Sequence, residues 1–277
     1  MRRALALFSI VAASLLLRPE AAHAADLPIF DAHLHYSHDA WDVVPPEQAV
    51  KILRDAGLRR AMVSSSNDEG TQKLHRLAPD IVIPVLRPYR KRSDISTWVR
   101  DDTVIEYLES RLKQYRYVAI GEFHVYGADA DLPVVRRMVQ LAKQHGLFLH
   151  LHGDAEAVDR VFKQWPEARI LWAHSGFDRP EAVALMLEKH KALWADLAFR
   201  NDQASNNKVS EAWRPVFLKH ADRFLVGTDT FTPERWYYVT EHAKYSRGWL
   251  ADLPQDVAEK IAYRNGDAIF AKLYAGQ

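Results

Sequence analysis

From Leu27 onward the chain alternates short apolar runs with longer stretches of helical periodicity, eight times over. The runs are the stretch ending at His35, Arg60–Ser64, Ile81–Leu86, Tyr117–Glu122, Leu147–His152, Arg169–His174, Ala192–Leu197 and Phe224–Asp229. They are nearly continuous in apolar residues, the pattern of parallel strands buried on both faces. The first helix opens at Pro45-Pro46, carries Ala49, Val50, Ile52, Leu53 and Ala56 on its apolar side, and stops at Gly57. Further helices are expected over 68–78, 95–115, 154–164, 180–190 and 209–220, and after Pro233, Pro254 and Asn265. Another is capped by Asp131, with Val134, Val135, Met138, Leu141 and Ala142 at helical spacing and Gly146 at its end. Pro84 is a blemish in the third strand. The rhythm predicts an α/β fold, a closed (β/α)8 TIM barrel ahead of an open doubly wound sheet. Such a barrel typically takes about 250 residues, the length left after residue 24.

Those first residues read as an export signal. Arg2 and Arg3 precede an apolar run from Ala4 to Leu17, and Ala22-His23-Ala24 is a small-residue cleavage site. The run is short for a membrane span. The expected division is therefore a signal peptide over 1–24 and one domain over 25–277, periplasmic or secreted, with no membrane anchoring after cleavage. Loss of Arg2, Arg3, Arg18 and Glu20 takes the net charge from +1 to −1. That leaves no basic field for nucleic acid and no cationic block for a membrane surface. Cysteine is absent, which excludes disulfides, thiolate metal sites and cysteine nucleophiles.

In a barrel of this kind the carboxyl ends of the strands meet at one mouth, where active sites lie. The first strand ends in Asp31-Ala32-His33-Leu34-His35-Tyr36. Residues two apart share a face, so His33 and His35 point the same way, about 7 Å apart along the backbone. The other strand ends supply Glu122, His152, His174 and Asp229. Four histidines and two carboxylates make a cage for one or two divalent ions. Zinc suits such ligands best, with manganese or iron as alternatives, and zinc in hydrolytic sites acidifies a water. His150 lies one pleat deeper than His152 and reads as a barrel-interior residue. His38 is loop-borne, and His75, His145, His190, His220 and His242 lie on or beside helices.

These motifs together resemble the amidohydrolase superfamily, in particular its amidohydrolase-related (amidohydrolase 2) group of metal-dependent TIM-barrel hydrolases. The matching pieces are Asp-Ala-His33-Leu-His35, Ile-Gly-Glu122, Leu-His-Leu-His152, Ala-His174-Ser-Gly and Gly-Thr-Asp229, with the closing segment Ile261 to Phe270. The resemblance implies that His33, His35 and His152 bind metal, and that Asp229 binds it or takes a proton from its water. It implies for His174 either a ligand or a substrate-polarising role. Many binuclear members carry a carboxylated lysine at the end of strand four. Glu122 stands there instead, as in TatD-like nucleases, and is expected to touch metal, with an arginine salt bridge as its alternative role.

The implied activity is hydrolysis of an ester, lactone or amide bond of a small molecule, with Asp229 and His174 catalytic. A decarboxylase of the same superfamily is the alternative, and a non-catalytic metal-binding exported protein a third reading. Nuclease action is disfavoured by the charge balance. Loops after the strands hold Arg87, Arg90 and Arg200, whose planar guanidinium groups suit a substrate carboxylate. Asp94 and Asp202 are near enough in sequence to occupy two of them. His124 and Tyr126, beyond Glu122 on the same strand, are expected to line the substrate pocket.

Overall fold

The computed structural model describes residues 27–275, so the expected signal peptide lies outside the described residues. Eight strands run in sequence order around one parallel sheet. They are β1 (Ile29–Leu34), β2 (Leu58–Val63), β3 (Val82–Leu86), β4 (Ala119–His124), β5 (Phe148–His152), β6 (Ile170–Trp172), β7 (Leu193–Asp196) and β8 (Phe224–Leu225). The ring closes where the chain beyond β8 runs beside β1, with Ala32 N donating to Val226 O (2.9 Å) and Asp229 N to His33 O (2.8 Å). The parallel barrel is thus observed.

Between the strands lie α1 (Pro46–Asp55), α2 (Glu69–Leu77), α3 (Thr103–Gln114), α4 (Pro133–Gln144), α5 (Ala155–Gln164), α6 (Pro180–Lys189) and α7 (Trp213–Lys219); α8 (Val239–Leu250) and α9 (Gln255–Glu259) follow β8. Proline opens α1, α4 and α6 at a position that needs no backbone donor. Their apolar faces pack on the strands in one large core that includes Leu53, Leu74, Leu108, Met138, Val161 and Leu187.

A smaller apolar cluster contains Phe30, Ala32, Met62, Ile83, Phe148, Leu171, Leu225 and Phe270. Phe270 reaches this cluster from the C-terminal helical segment, with ring centroids 4.8 Å from Phe148 and 6.2 Å from Phe30. Gly266 lies so close that a Cβ there would stand 2.2 Å from the Phe30 ring, which is why the segment can pack against it. Asn265 ties the same segment to the approach to β8 by donating to Ala221 O (2.8 Å) and Phe224 O (2.9 Å).

Four local expectations are corrected. Helix 95–115 is two short 3-10 turns followed by α3. Asp131 does not cap α4, because its carboxylate is taken by Arg136, Arg160 and Gln164. The helix expected over 209–220 begins only at Trp213, and Val209 instead ends a small antiparallel hairpin, Ala204–Ser205 with Lys208–Val209, turned by Asn206 and Asn207 at positive φ. The sixth strand stops at Trp172, because His174, Ser175 and Gly176 all take left-handed backbone (φ 56°, 51° and 65°). That turn is pinned by hydrogen bonds from His174 N to Asp196 Oδ1 (2.9 Å) and from Ser175 Oγ to Asp196 O (2.8 Å).

Candidate metal centre and substrate cavity

The histidines of β1 and its continuation bring their Nε2 atoms to 3.2 Å from each other. What points them there is the partner of each Nδ1. His35 Nδ1 lies 2.8 Å from Ser64 O, and His174 Nδ1 lies 2.8 Å from Ala198 O. A carbonyl can only accept, so both Nδ1 atoms carry hydrogen. His33 Nδ1 likewise faces the Asp196 carboxylate at 3.1 Å. All three imidazoles therefore turn Nε2 lone pairs into one space.

Glu122 and Asp229 face the same space. Glu122 Oε1 is 3.5 Å from both His33 Nε2 and His174 Nε2, and Oε2 is 3.3 Å from His35 Nε2. Asp229 Oδ1 is 3.3 Å from His35 Nε2 and 3.7 Å from His33 Nε2. His152 meets Glu122 from the other side, with Nδ1 2.6 Å from Oε1. The six residues expected to form the cage are thus brought together.

The arrangement fits a divalent cation on its own chemistry. Neutral imidazoles in these tautomers would aim the bare Nε2 lone pairs of His33, His35 and His174 at one another and at two carboxylates, acceptor against acceptor at each of these contacts. Positive charge resolves it, as protons or as a metal ion. The chain's own electrostatics lean the same way. Burial opposes a charge on His33, but Asp196, Glu122 and Asp229 outweigh it and raise its pKa well above the ordinary value. Burial would push Asp229 up, yet His33 and His35 bring it down to about 2. The groups with metal-ligand spacing include His33, His35 and Glu122, and His33, His174 and Asp229. Imidazole nitrogens and carboxylate oxygens with the opposite ring nitrogen anchored are the usual pattern around zinc.

A cavity of about 360 Å³ opens onto this cage. Arg87, Tyr89, Arg92, His124, Phe177, Phe199 and Phe231 line it, with His35, Glu122, His152, His174 and Asp229 of the cage. Burial lowers the His124 pKa to about 3 against the pull of Glu122, so this imidazole is neutral at ordinary pH. Arg87 spends two donors on Glu122, Nη2 on Oε2 at 2.8 Å and Nε on the backbone oxygen at 3.2 Å. Glu122 therefore takes both roles considered for it, facing the cage and pairing with an arginine.

Two arginines and a tyrosine expected in the pocket are elsewhere. Arg90 is committed to Asp94, Asp101 and Thr103. Arg200 is held by Asp202, donates to His174 O (3.0 Å) and Asp178 O (2.8 Å), and stacks on Trp213. It supports the His174 turn and does not reach substrate space. Tyr126 is exposed at the rim, its ring centroid 6.1 Å from that of His152. The local acidic residues that neutralise Arg90 and Arg200 were visible in the sequence, but the choice between partner and pocket was not.

Three participants escaped the sequence reading. Arg92 lines the cavity and pairs with Asp39. Tyr89 lines it and bonds His124. Asp196, at the end of β7, accepts from His33 Nδ1, from His150 Nε2 (3.0 Å) and from two backbone N–H groups. Only its place at a strand end could have flagged Asp196. His150 is the barrel-interior residue expected, turned onto Asp196 and away from the cage.

Comparisons with known proteins agree on the fold. Several solved structures share the fold. An uncharacterised TIM-barrel protein from Bordetella bronchiseptica is 16% identical, with a TM-score of 0.58 over 91% of this chain and 100% of its own. A probable 2-pyrone-4,6-dicarboxylic acid hydrolase from Acinetobacter baumannii, solved with citric acid bound, is 12% identical, with a TM-score of 0.58 over 88% and 99% of the two chains. A TatD-family hydrolase from Entamoeba histolytica is 12% identical, with a TM-score of 0.56 over 87% and 99%. No curated protein matches the chain. Residues 85–271 match the family model described as Amidohydrolase, so the chain belongs to the amidohydrolase family and is an enzyme of the metal-dependent hydrolase type.

Proposed function

We propose that the chain is an exported hydrolase acting on an ester, lactone or amide bond of a small, carboxylate-bearing substrate. Its divalent ion, zinc by the nitrogen and oxygen character of the donors, would be held by His33, His35, Glu122, His152, His174 and Asp229. The observation that carries this reading is the set of anchored imidazole lone pairs and two carboxylates on the floor of a small cavity. When bound, the ion supplies Lewis acidity and an acidified water. Asp229 accepts the proton of the attacking water at a carboxylate oxygen facing the cavity. His174, with hydrogen fixed on Nδ1, offers the cage a lone pair and the substrate no donor. Stabilisation of developing negative charge on the substrate then falls to other groups.

The cationic wall supports an acid substrate. Arg87 Nη1 makes no protein hydrogen bond among the described residues, and Arg92 reaches the same cavity. The Acinetobacter baumannii neighbour of this fold is described as a probable 2-pyrone-4,6-dicarboxylic acid hydrolase, and a dicarboxylic acid of that kind combines the features these groups suit. Changing Arg87 to Met is expected to weaken an acid substrate roughly ten- to a hundredfold more than its neutral methyl ester, the cost of one charge-assisted contact. The double comparison is needed because Arg87 also holds Glu122, which affects both substrates alike. Equal losses would remove carboxylate recognition by Arg87. Carbon dioxide release in place of hydrolytic product would shift the reading to the decarboxylase alternative.

Export belongs to the same proposal and rests on the basic, apolar and small-residue order of the first 24 residues. N-terminal sequencing of the chain recovered outside the cytoplasm is expected to begin at Ala25. Met1 on correctly located protein would overturn it.

A further inference from the structure

The cavity wall contains one pair of side chains that the cage does not use. Tyr89 and His124 meet twice: His124 backbone N–H donates to Tyr89 Oη at 2.7 Å, and Tyr89 Oη lies 3.0 Å from His124 Nδ1. Tyr89 is fully buried, so its O–H hydrogen needs an acceptor. The backbone N–H is itself a donor and cannot serve. Among the described residues, His124 Nδ1 is the one acceptor bonded to this hydroxyl. The phenol therefore donates to Nδ1, and in the neutral ring the hydrogen must sit on Nε2.

That assignment separates His124 from its neighbours. Its Nε2 stands 3.9 Å from Glu122 Oε1, and Glu122, His124 and His152 have metal-ligand spacing. Spacing alone would make His124 a ligand. A nitrogen carrying hydrogen has no lone pair for a metal, whereas His35 and His174, fixed the opposite way by carbonyls, do have one. The ring also stacks on His152, with centroids 4.0 Å apart, which fixes its plane against the wall.

We infer that His124 is a substrate-binding hydrogen-bond donor, its Nε2–H aimed into the cavity beside the cage, and that Tyr89 is the positioning residue that locks this tautomer. The oxygen it would meet is a carboxylate or the acyl oxygen of the substrate, the position at which charge develops during hydrolysis. This role rests on the proposed hydrolase reading, while the tautomer does not.

The test is a long-range proton–nitrogen spectrum of the zinc-loaded protein with labelled histidine at neutral pH, the His124 signals assigned with His124→Gln. The expected pattern is a neutral ring with hydrogen on Nε2, an Nε2–H signal that moves when isophthalate is added as an aromatic diacid probe, and a mixed tautomer in Tyr89→Phe. Isophthalate is expected to bind about tenfold or more weakly to His124→Phe, with His124→Gln recovering most of that loss because its amide can donate from a similar place. Zinc content is expected to be unchanged in both His124 variants. Hydrogen on Nδ1, or loss of zinc from His124→Phe, would overturn the assignment in favour of a ligand. An Nε2–H signal indifferent to isophthalate would overturn the substrate-donor role. A wild-type chain without bound zinc but with the Nε2–H pattern would count against the hydrolase reading and leave the tautomer lock intact.

Discussion

Replacing His33 and His35 together by alanine is expected to leave the purified chain without bound divalent metal, measured by elemental analysis for zinc, manganese and iron. The two Nε2 atoms are 3.2 Å apart and each faces both Glu122 and Asp229, so no cation in this space could avoid them. The loss should exceed the roughly ten- to hundredfold that removal of a supporting partner costs, because two direct donors go at once. A second reading of the same variant uses stability. Free zinc at a hundred times its dissociation constant should stabilise the wild-type fold by about 2.7 kcal/mol, and the double variant by nothing. If the variant kept its metal, or still gained stability from zinc, the cation would have to sit elsewhere.

Asp196→Asn is expected to lower metal affinity roughly ten- to a hundredfold although Asp196 is not in the cage. The carboxylate takes four donors: His33 Nδ1 and His150 Nε2 on Oδ2, and the N–H groups of His174 and Ala198 on Oδ1. An amide has only one oxygen to offer. The backbone donors cannot change, so the oxygen should turn to them and the NH2 to the histidines. His33 would then accept at Nδ1 and carry its hydrogen on Nε2, which blocks the lone pair that faces Glu122 and Asp229. A zinc competition titration measures the effect, with circular dichroism to show that the fold is kept. Affinity unchanged in a folded variant would mean that Asp196 serves only the backbone turn at His174.

These two expectations differ in how far they could be read before the structure. The barrel was legible because it depends on local pattern: eight apolar runs of strand length, separated by helices with proline starts. Where elements ended was less legible. The sixth strand looked as though it ran to His174, yet three left-handed residues bend the chain there under the hold of Asp196 and Arg200, both distant in sequence.

The chemistry divides along the same line. Residue type and strand-end position by themselves marked His33, His35, Glu122, His152, His174 and Asp229, because a parallel barrel gathers its carboxyl strand ends whatever the loops do. The structure decided which nitrogen of His33, His35 and His174 is free, since that depends on Asp196, Ser64 O and Ala198 O, contributed by other strands and loops. It also decided the arginines. Arg87, Arg90 and Arg200 were equivalent candidates in sequence. A long flexible guanidinium goes to whichever acceptors the packed chain presents, and only Arg87 found its partner inside the cavity. Tyr89 and Arg92 carry no local signal at all; they line the site because the loop after β3 folds over it.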